Sequence, residues 1–296
     1  MNLPQLYNRK TKSIETENTY KVGGLAVLYK SVLGKWITYT VFNKHFISKL
    51  YARKMKSKNS LSQIPEFIRH YGIDTEEIKR PMDSFTSFND FFIRELKEGA
   101  RPVDRTPEHL ISPADSRLMV FDLAEKDRLP IKGYWYNLND LLREDALAAE
   151  YSDGLCLVYR LAPADYHRYG YIDDGTQDSV IRIPGVLHSV NPIALSETPA
   201  LIAKNYRELT LLKTRNFGKV LHLEVGAMMV GKIIQSHNGA YAFKRGEEKG
   251  YFEFGGSTIV QLFRKGVVQM DADIMENTSK GYEVLVKIGE KVGVKA

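Results

Sequence analysis

Cysteine is almost absent from this 296-residue chain: Cys156 stands alone, inside the apolar run Leu155-Cys-Leu-Val158. An internal disulfide is thereby excluded, and the apolar neighbours predict a small buried hydrophobe rather than a nucleophile. The seven histidines are scattered without paired spacing, so there is no zinc signature either. No run approaches the roughly 18–20 apolar residues needed to span a bilayer. The first twenty residues are polar and charged, unlike a signal peptide. A cytosol-facing protein is the default expectation. Acidic residues are scarce at the N-terminal end, where residues 1–60 hold twelve Lys/Arg against only Glu15 and Glu17. That segment nets +10 within an overall charge of +6, leaving −4 for the rest. Such a basic pole suits a phosphate-bearing surface, nucleic acid or anionic lipid.

What is present begins with an amphipathic pattern on the same pole. From Gly24 to Lys58, Leu25, Leu28, Val32, Trp36, Val41, Phe46 and Leu50 recur at helical spacing, interleaved with lysines. Such a helix lies in a membrane interface or packs its apolar face on a core, and one helix can do both. A second helical block is predicted from about Ser62 to Lys97, with Asp74 as its N-cap and a break at Phe85-Thr-Ser-Phe88. Pro102 and Pro107 mark a linker. Beyond His109 short strand-like runs alternate with turns: Leu118–Leu123, Leu155–Leu161, Ser179–Ile183, Lys219–Val225, Tyr241–Lys244, Gly250–Phe254, Ser257–Phe263 and Val267–Met270. Leu138–Leu147 reads as a short helix. The expected class is α+β: a helical N-terminal region, residues 1–100, packed on a predominantly antiparallel β-rich core, residues 101–296.

The two strands around Phe254-Gly-Gly-Ser-Thr258 frame a glycine pair followed by a hydroxyl. Read alone, this is a β-bulge with a polar tip. It also sets Ser257 Oγ beside the Gly256 carbonyl, where a nearby base would allow attack on the preceding peptide bond. Asp115 in Ser112-Pro-Ala-Asp115, His167 in Ala164-Asp-Tyr-His167 and His188 in Leu187-His-Ser-Val-Asn-Pro192 supply an acid and two imidazoles. Asp, His and Ser from separate segments can form a proton relay. Singly, each has a plain structural explanation: a turn former at Asp115, hydrogen-bonded structural imidazoles at the other two.

Together the segments resemble the phosphatidylserine decarboxylase proenzyme family, in its Gly-Gly-Ser-Thr branch. The carrying motifs are Phe88-Asn-Asp-Phe-Phe-Ile-Arg-Glu-Leu96 with Gly99-Ala-Arg-Pro102, Ser112-Pro-Ala-Asp115 and Leu161-Ala-Pro-Ala-Asp-Tyr-His-Arg168. They continue with Leu187-His-Ser-Val-Asn-Pro192, Val225-Gly-Ala227, Lys244-Arg-Gly-Glu-Glu248 and Phe254-Gly-Gly-Ser-Thr258. The resemblance implies self-cleavage between Gly256 and Ser257, into a large chain, 1–256, and a small chain, 257–296. Ser257 becomes a covalent pyruvoyl group, the electron sink that turns phosphatidylserine into phosphatidylethanolamine with loss of carbon dioxide. No metal is implied. By residue-wise transfer Asp115 is the acid of the self-cleavage relay, and His167 serves proton transfer in decarboxylation. The implied setting is peripheral, on an anionic membrane at the cytoplasmic face of the cell membrane. Nucleic acid is not an implied partner, and a homodimer is left open.

Two positions depart from the family pattern. Ser-Pro-x-Asp-Gly ends here in Ser116, and the second histidine of Tyr-His-Arg-x-His, the usual base of the relay, is Gly170. Glycine accepts no proton, and loss of one relay member costs orders of magnitude in rate. Three outcomes follow: His167 or His188 substitutes as base, processing is slow, or the chain stays an unprocessed, catalytically impaired lipid-binding relative.

Overall fold

A computed structural model of the chain describes residues 5–18, 45–124, 129–131, 134–185, 201–226, 232–255 and 257–296. Gly256, His188 and most of the amphipathic stretch, residues 19–44, lie outside the described residues. The chain opens not with a helix but with a hairpin, β1 (Gln5–Asn8) and β2 (Ser13–Thr16). Helix α1 (His45–Met55), a 3-10 turn and α2 (Ile64–Tyr71) follow, then α3 (Phe88–Phe92). The predicted second helical block, from about Ser62 to Lys97, holds two short α-helices with a 3-10 turn at Met82–Ser84 between them, and the second helix starts at Phe88, the end of the expected break. Gly72, at φ 62°, closes α2 with its N–H on Ile68 O. Asp74 caps no helix, because its Oδ1 takes the Glu76 N–H in a local turn.

After β3 (His109–Ile111) and β4 (Ser116–Asp122) come a small hairpin, β5 (Leu129–Ile131) and β6 (Tyr134–Tyr136), and two short helices. These are α4 (Leu138–Leu142) and α5 (Asp145–Glu150), where one helix was expected; Arg143 takes a left-handed turn (φ 56°) between them. Next are β7 (Leu155–Leu161), β8 (Arg168–Gly170), β9 (Gly175–Gln177), β10 (Ile181–Ile183) and α6 (Leu201–Lys204). Then follow β11 (Arg207–Thr214), β12 (Gly218–Val225), β13 (Ile233–Gln235), β14 (Tyr241–Phe243) and β15 (Glu248–Phe252). The chain ends with β16 (Ser257–Phe263), β17 (Val268–Met270), α7 (Ala272–Ser279), β18 (Glu283–Val286) and β19 (Lys291–Lys295).

An eleven-stranded sheet dominates, in the order β14-β9-β11-β12-β16-β7-β4-β18-β1-β2 with β10 beside β11. Its described pairings are antiparallel except β1 on β18. The class is thus α+β with a β-rich core, as the residue pattern predicts. Strand alternation splits the core in two. Cys156, Val158, Val260, Leu262, Leu221 and Leu223 pack with α4 and α5 on one face. Leu157, Tyr159, Leu161, Ile259 and Phe263 pack on the other, with Tyr169 and Phe252 of a three-stranded sheet, β13-β15-β8. Cys156 is fully buried, and burial pushes its thiol pKa up, which fits a packing role. The helices α1 to α3 carry a separate aromatic cluster around Phe67, Phe88, Phe91 and Phe92.

Candidate active site

Ser257 begins β16, a strand buried at all seven positions and flanked by β12 and β7. Its backbone partner is Leu161. The side chain is wholly buried, and Ser257 Oγ has no hydrogen-bond partner among the described residues. A buried hydroxyl without a partner is destabilising, so this one does not hold the fold together and is uncommitted for chemistry. The approach to this serine is held from the helical region. Phe254 N–H donates to Asn89 Oδ1 (2.9 Å), and Lys56 Nζ meets Glu253 Oε1 at 2.6 Å. The Phe254 ring lies 5.0 Å from those of both Phe88 and Phe92, and 5.9 Å from Tyr51. Gly255 has φ 144°, a conformation that side chains disfavour.

His167 reaches the same end of the sheet by a short detour. The chain leaves β7 at Leu161, opposite Ser257, and turns through an Ala162 N–H to Asp165 Oδ2 bond (2.7 Å). It returns with the Phe252 N–H bonded to His167 O (3.0 Å). The imidazole is fully buried, its ring 4.1 Å from that of Phe92. Nδ1 lies 2.9 Å from Asp165 O. A carbonyl only accepts, so Nδ1 carries the proton and Nε2 presents its lone pair. Nε2 has no partner among the described residues. Burial, reinforced by Arg94 and Arg117, pushes the imidazole pKa down to about 3.

Asp115 is also buried, but it faces cations rather than an imidazole. Arg101 Nε spans both carboxylate oxygens at 3.1 and 2.9 Å, Lys287 Nζ lies at 3.1 Å, and Ile288 N–H donates at 2.9 Å. Gly170 sits beside this motif, its N–H on Pro113 O (2.9 Å). The position of the expected second imidazole is therefore bonded to the segment that carries the acid, and it has no side chain. The described residues bring Ser257 and His167 to one end of β7 and β16; His188 and Gly256 lie outside them.

Sequence reasoning missed a buried polar layer on the face that Ser257 shares. Glu224 stands opposite Ile259, two positions along from Ser257, and His222 stands opposite Gln261. Lys249 Nζ, entering from β15, contacts Glu224 Oε1 (2.5 Å), Gln235 Oε1 (2.9 Å) and Thr210 Oγ1 (3.2 Å). His222 Nε2 lies 3.3 Å from Glu224 Oε1. Burial alone would raise the Glu224 carboxyl; Lys249 and His222 outweigh it and hold the pKa at about 2. The alternation Val220-Leu-His-Leu-Glu-Val225 was the available signal, but it reads equally as a strand with one wet face.

Burial of His167 and His222 gives an expected acid response. Both imidazoles are depressed below 6.5, by burial first. Above that pH they are neutral whether the chain is folded or not. As pH falls through about 6.5, the unfolded chain takes up protons that the folded one refuses. Stability should decline from there toward pH 3, and His167→Asn should flatten the decline by about one proton in urea-unfolding free energy plotted against pH. An unaltered slope would contradict a neutral buried imidazole.

Over residues 88–294 the sequence matches the family profile described as phosphatidylserine decarboxylase. It is 44% identical over 288 residues to phosphatidylserine decarboxylase proenzyme 2 of Clostridium acetobutylicum, covering 97% of both chains. The phosphatidylserine decarboxylase proenzyme of Clostridium beijerinckii is 43% identical over 292 residues, 98% of this chain and 99% of that one. The one from Clostridium perfringens is 42% identical over 295 residues, again 98% and 99%.

Proposed function

The chain belongs to the phosphatidylserine decarboxylase family, and from that premise we propose that it is a proenzyme that cleaves itself at Gly256-Ser257 and then decarboxylates phosphatidylserine. The observation that carries the reading is the pair of buried, unpartnered groups, Ser257 Oγ and His167 Nε2, at the shared end of β7 and β16. Ser257 fits as the source of a pyruvoyl group, because its hydroxyl is committed to no hydrogen bond among the described residues. In this reading Nε2 of His167 takes the Ser257 hydroxyl proton as Oγ attacks the preceding carbonyl and the peptide becomes an ester. Removal of the Ser257 α-proton then expels the Gly256 carboxylate, and water replaces the nitrogen as ammonia leaves. When formed, the pyruvoyl group supplies a carbonyl that captures the substrate amine and takes up the electrons released with carbon dioxide. His167, dry against Phe92, would hold and return the proton at the carbon that loses the carboxylate. A base of such low pKa works slowly at neutral pH, so slow processing is expected.

Among the described residues no helix is long and apolar enough to cross a membrane. The basic N-terminal pole supports peripheral attachment to an anionic, cytoplasm-facing surface. The test is the intact mass of the purified protein. Chains of 1–256 and 257–296, the latter starting with a pyruvoyl group, are expected; one intact chain after long incubation would sink the reading. A second reading, an unprocessed lipid-binding relative, is favoured by the cationic partners of Asp115, which leave the acid without an imidazole. Gly170→His discriminates the two. A Cβ there would lie 3.0 Å from Glu247 O, so that loop must yield by a few tenths of an ångström. The variant should speed cleavage by at least about tenfold if only the base is lacking. Liposome binding without cleavage in either form would favour the second reading.

A further inference from the structure

Arg94 lies in the Phe88-Asn-Asp-Phe-Phe-Ile-Arg-Glu-Leu96 motif, and the reactions above give it no role. The residue is 5% exposed. Nε and Nη1 have no hydrogen-bond partner among the described residues, and Nη2 reaches Ala164 O only at 3.4 Å. Other buried or half-buried guanidiniums are paired: Arg101 with Asp115, Arg117 with Asp165 and Glu17, Arg160 with Glu17 and Glu283. The two carboxylates that act on it through space are held by other groups, Asp115 by Arg101, Lys287 and the Ile288 N–H, Asp165 Oδ2 by Arg117 and the Ala162 N–H. Burial accordingly pushes the Arg94 pKa down to about 10. A buried cation without a contacting anion is costly, and an anionic ligand would offset that cost.

The place is the wall of the candidate site. Ala164 lies in the detour between Leu161, which faces Ser257, and His167. Two residues before Arg94, Phe92 packs on both His167 and Phe254. A phosphatidylserine headgroup offers two anions to such a guanidinium. Its carboxylate leaves as neutral carbon dioxide, so a cation fixed on it would hold the ground state more tightly than the transition state. The phosphodiester keeps its charge throughout, and guanidinium donors match phosphate oxygens. Resting on the decarboxylase reading, we propose that Arg94 binds the phosphodiester of the substrate headgroup and so selects phosphate-bearing serine.

The full-length protein, wild type and with Arg94→Met or Arg94→Lys, would be titrated calorimetrically with two soluble probes. Glycerophosphoethanolamine has the phosphodiester and no carboxylate; O-methylserine has the carboxylate and no phosphate. Arg94→Met should weaken the first at least about tenfold and Arg94→Lys less, while O-methylserine affinity stays within about twofold. Unchanged glycerophosphoethanolamine affinity, no binding of it by the wild type, or equal loss for both probes would overturn the assignment. Arg94→Lys keeps the charge should the methionine variant fail to fold. Carbon dioxide release from phosphatidylserine vesicles is followed separately. Its absence beside the expected binding pattern would sink the decarboxylase reading and leave the phosphate site standing.

Discussion

Ser257→Ala should abolish both self-cleavage and carbon dioxide release while leaving the fold as stable as before, or slightly more so. The catalytic half follows from the proposed chemistry: without Oγ there is no nucleophile and no precursor of the electron sink, so the loss is complete rather than graded. The stability half follows from packing. Ser257 is wholly buried, and its hydroxyl makes no hydrogen bond with the described residues. Removing a buried hydroxyl that lacks a partner relieves a desolvation penalty of about 1–3 kcal/mol, against a small loss of contact. Urea unfolding and intact mass on the same preparation would check both halves. A variant that unfolds early would mean that the hydroxyl is structural, and a variant that still cleaves would move the nucleophile elsewhere.

The second large effect is on stability. Lys249→Met should cost about 3–5 kcal/mol, because it strands the Glu224 carboxylate in a dry layer between two sheets. Both side chains are fully buried and only 2.5 Å apart. Glu208 stands directly opposite Glu224 on β11, so without the ammonium two acids would face each other across the strand pair. Without Lys249, burial would raise the Glu224 pKa. Its deficit should then shrink as pH falls toward the carboxylate range, where the unfolded chain protonates too. Adding Glu224→Gln should recover much of the loss at neutral pH. Chemical denaturation of the single and double variants at two pH values would read this out. Equal stability of Lys249→Met and wild type would mean that the pair contributes nothing.

Strands whose apolar content declares itself locally were legible. Leu155–Leu161 and Ser257–Phe263 fall where the residue pattern puts them. The eight-residue strand Arg207–Thr214 was not, since its charged ends and Thr210 mask a run whose alternate side chains enter two different cores. The N-terminal hairpin escaped because its strands are only four residues long and mostly polar. It is held by long-range partners: Arg9 on Asp271, Asp273 and Glu290, and Glu17 on Arg117 and Arg160. Sequence spacing carries no trace of such contacts.

The candidate nucleophile, the candidate imidazole and the glycine where the family pattern has a second one can all be read from Phe254-Gly-Gly-Ser-Thr258 and Tyr166-His-Arg-Tyr-Gly170, because each is a local run of side chains. Partner choice is different. That Asp115 meets Arg101 and Lys287, that His167 Nδ1 is occupied, and that His167 Nε2 and Arg94 have no contacting partner or counter-ion among the described residues depend on segments far apart in sequence. The same holds for the polar side of Val220–Val225, which looks wet in sequence and is covered by β15 in the fold. Residue types and local periodicity determine which chemistry the chain contains. Which groups are dry, paired or left unpartnered is set by packing between distant strands, and only the tertiary structure decides it.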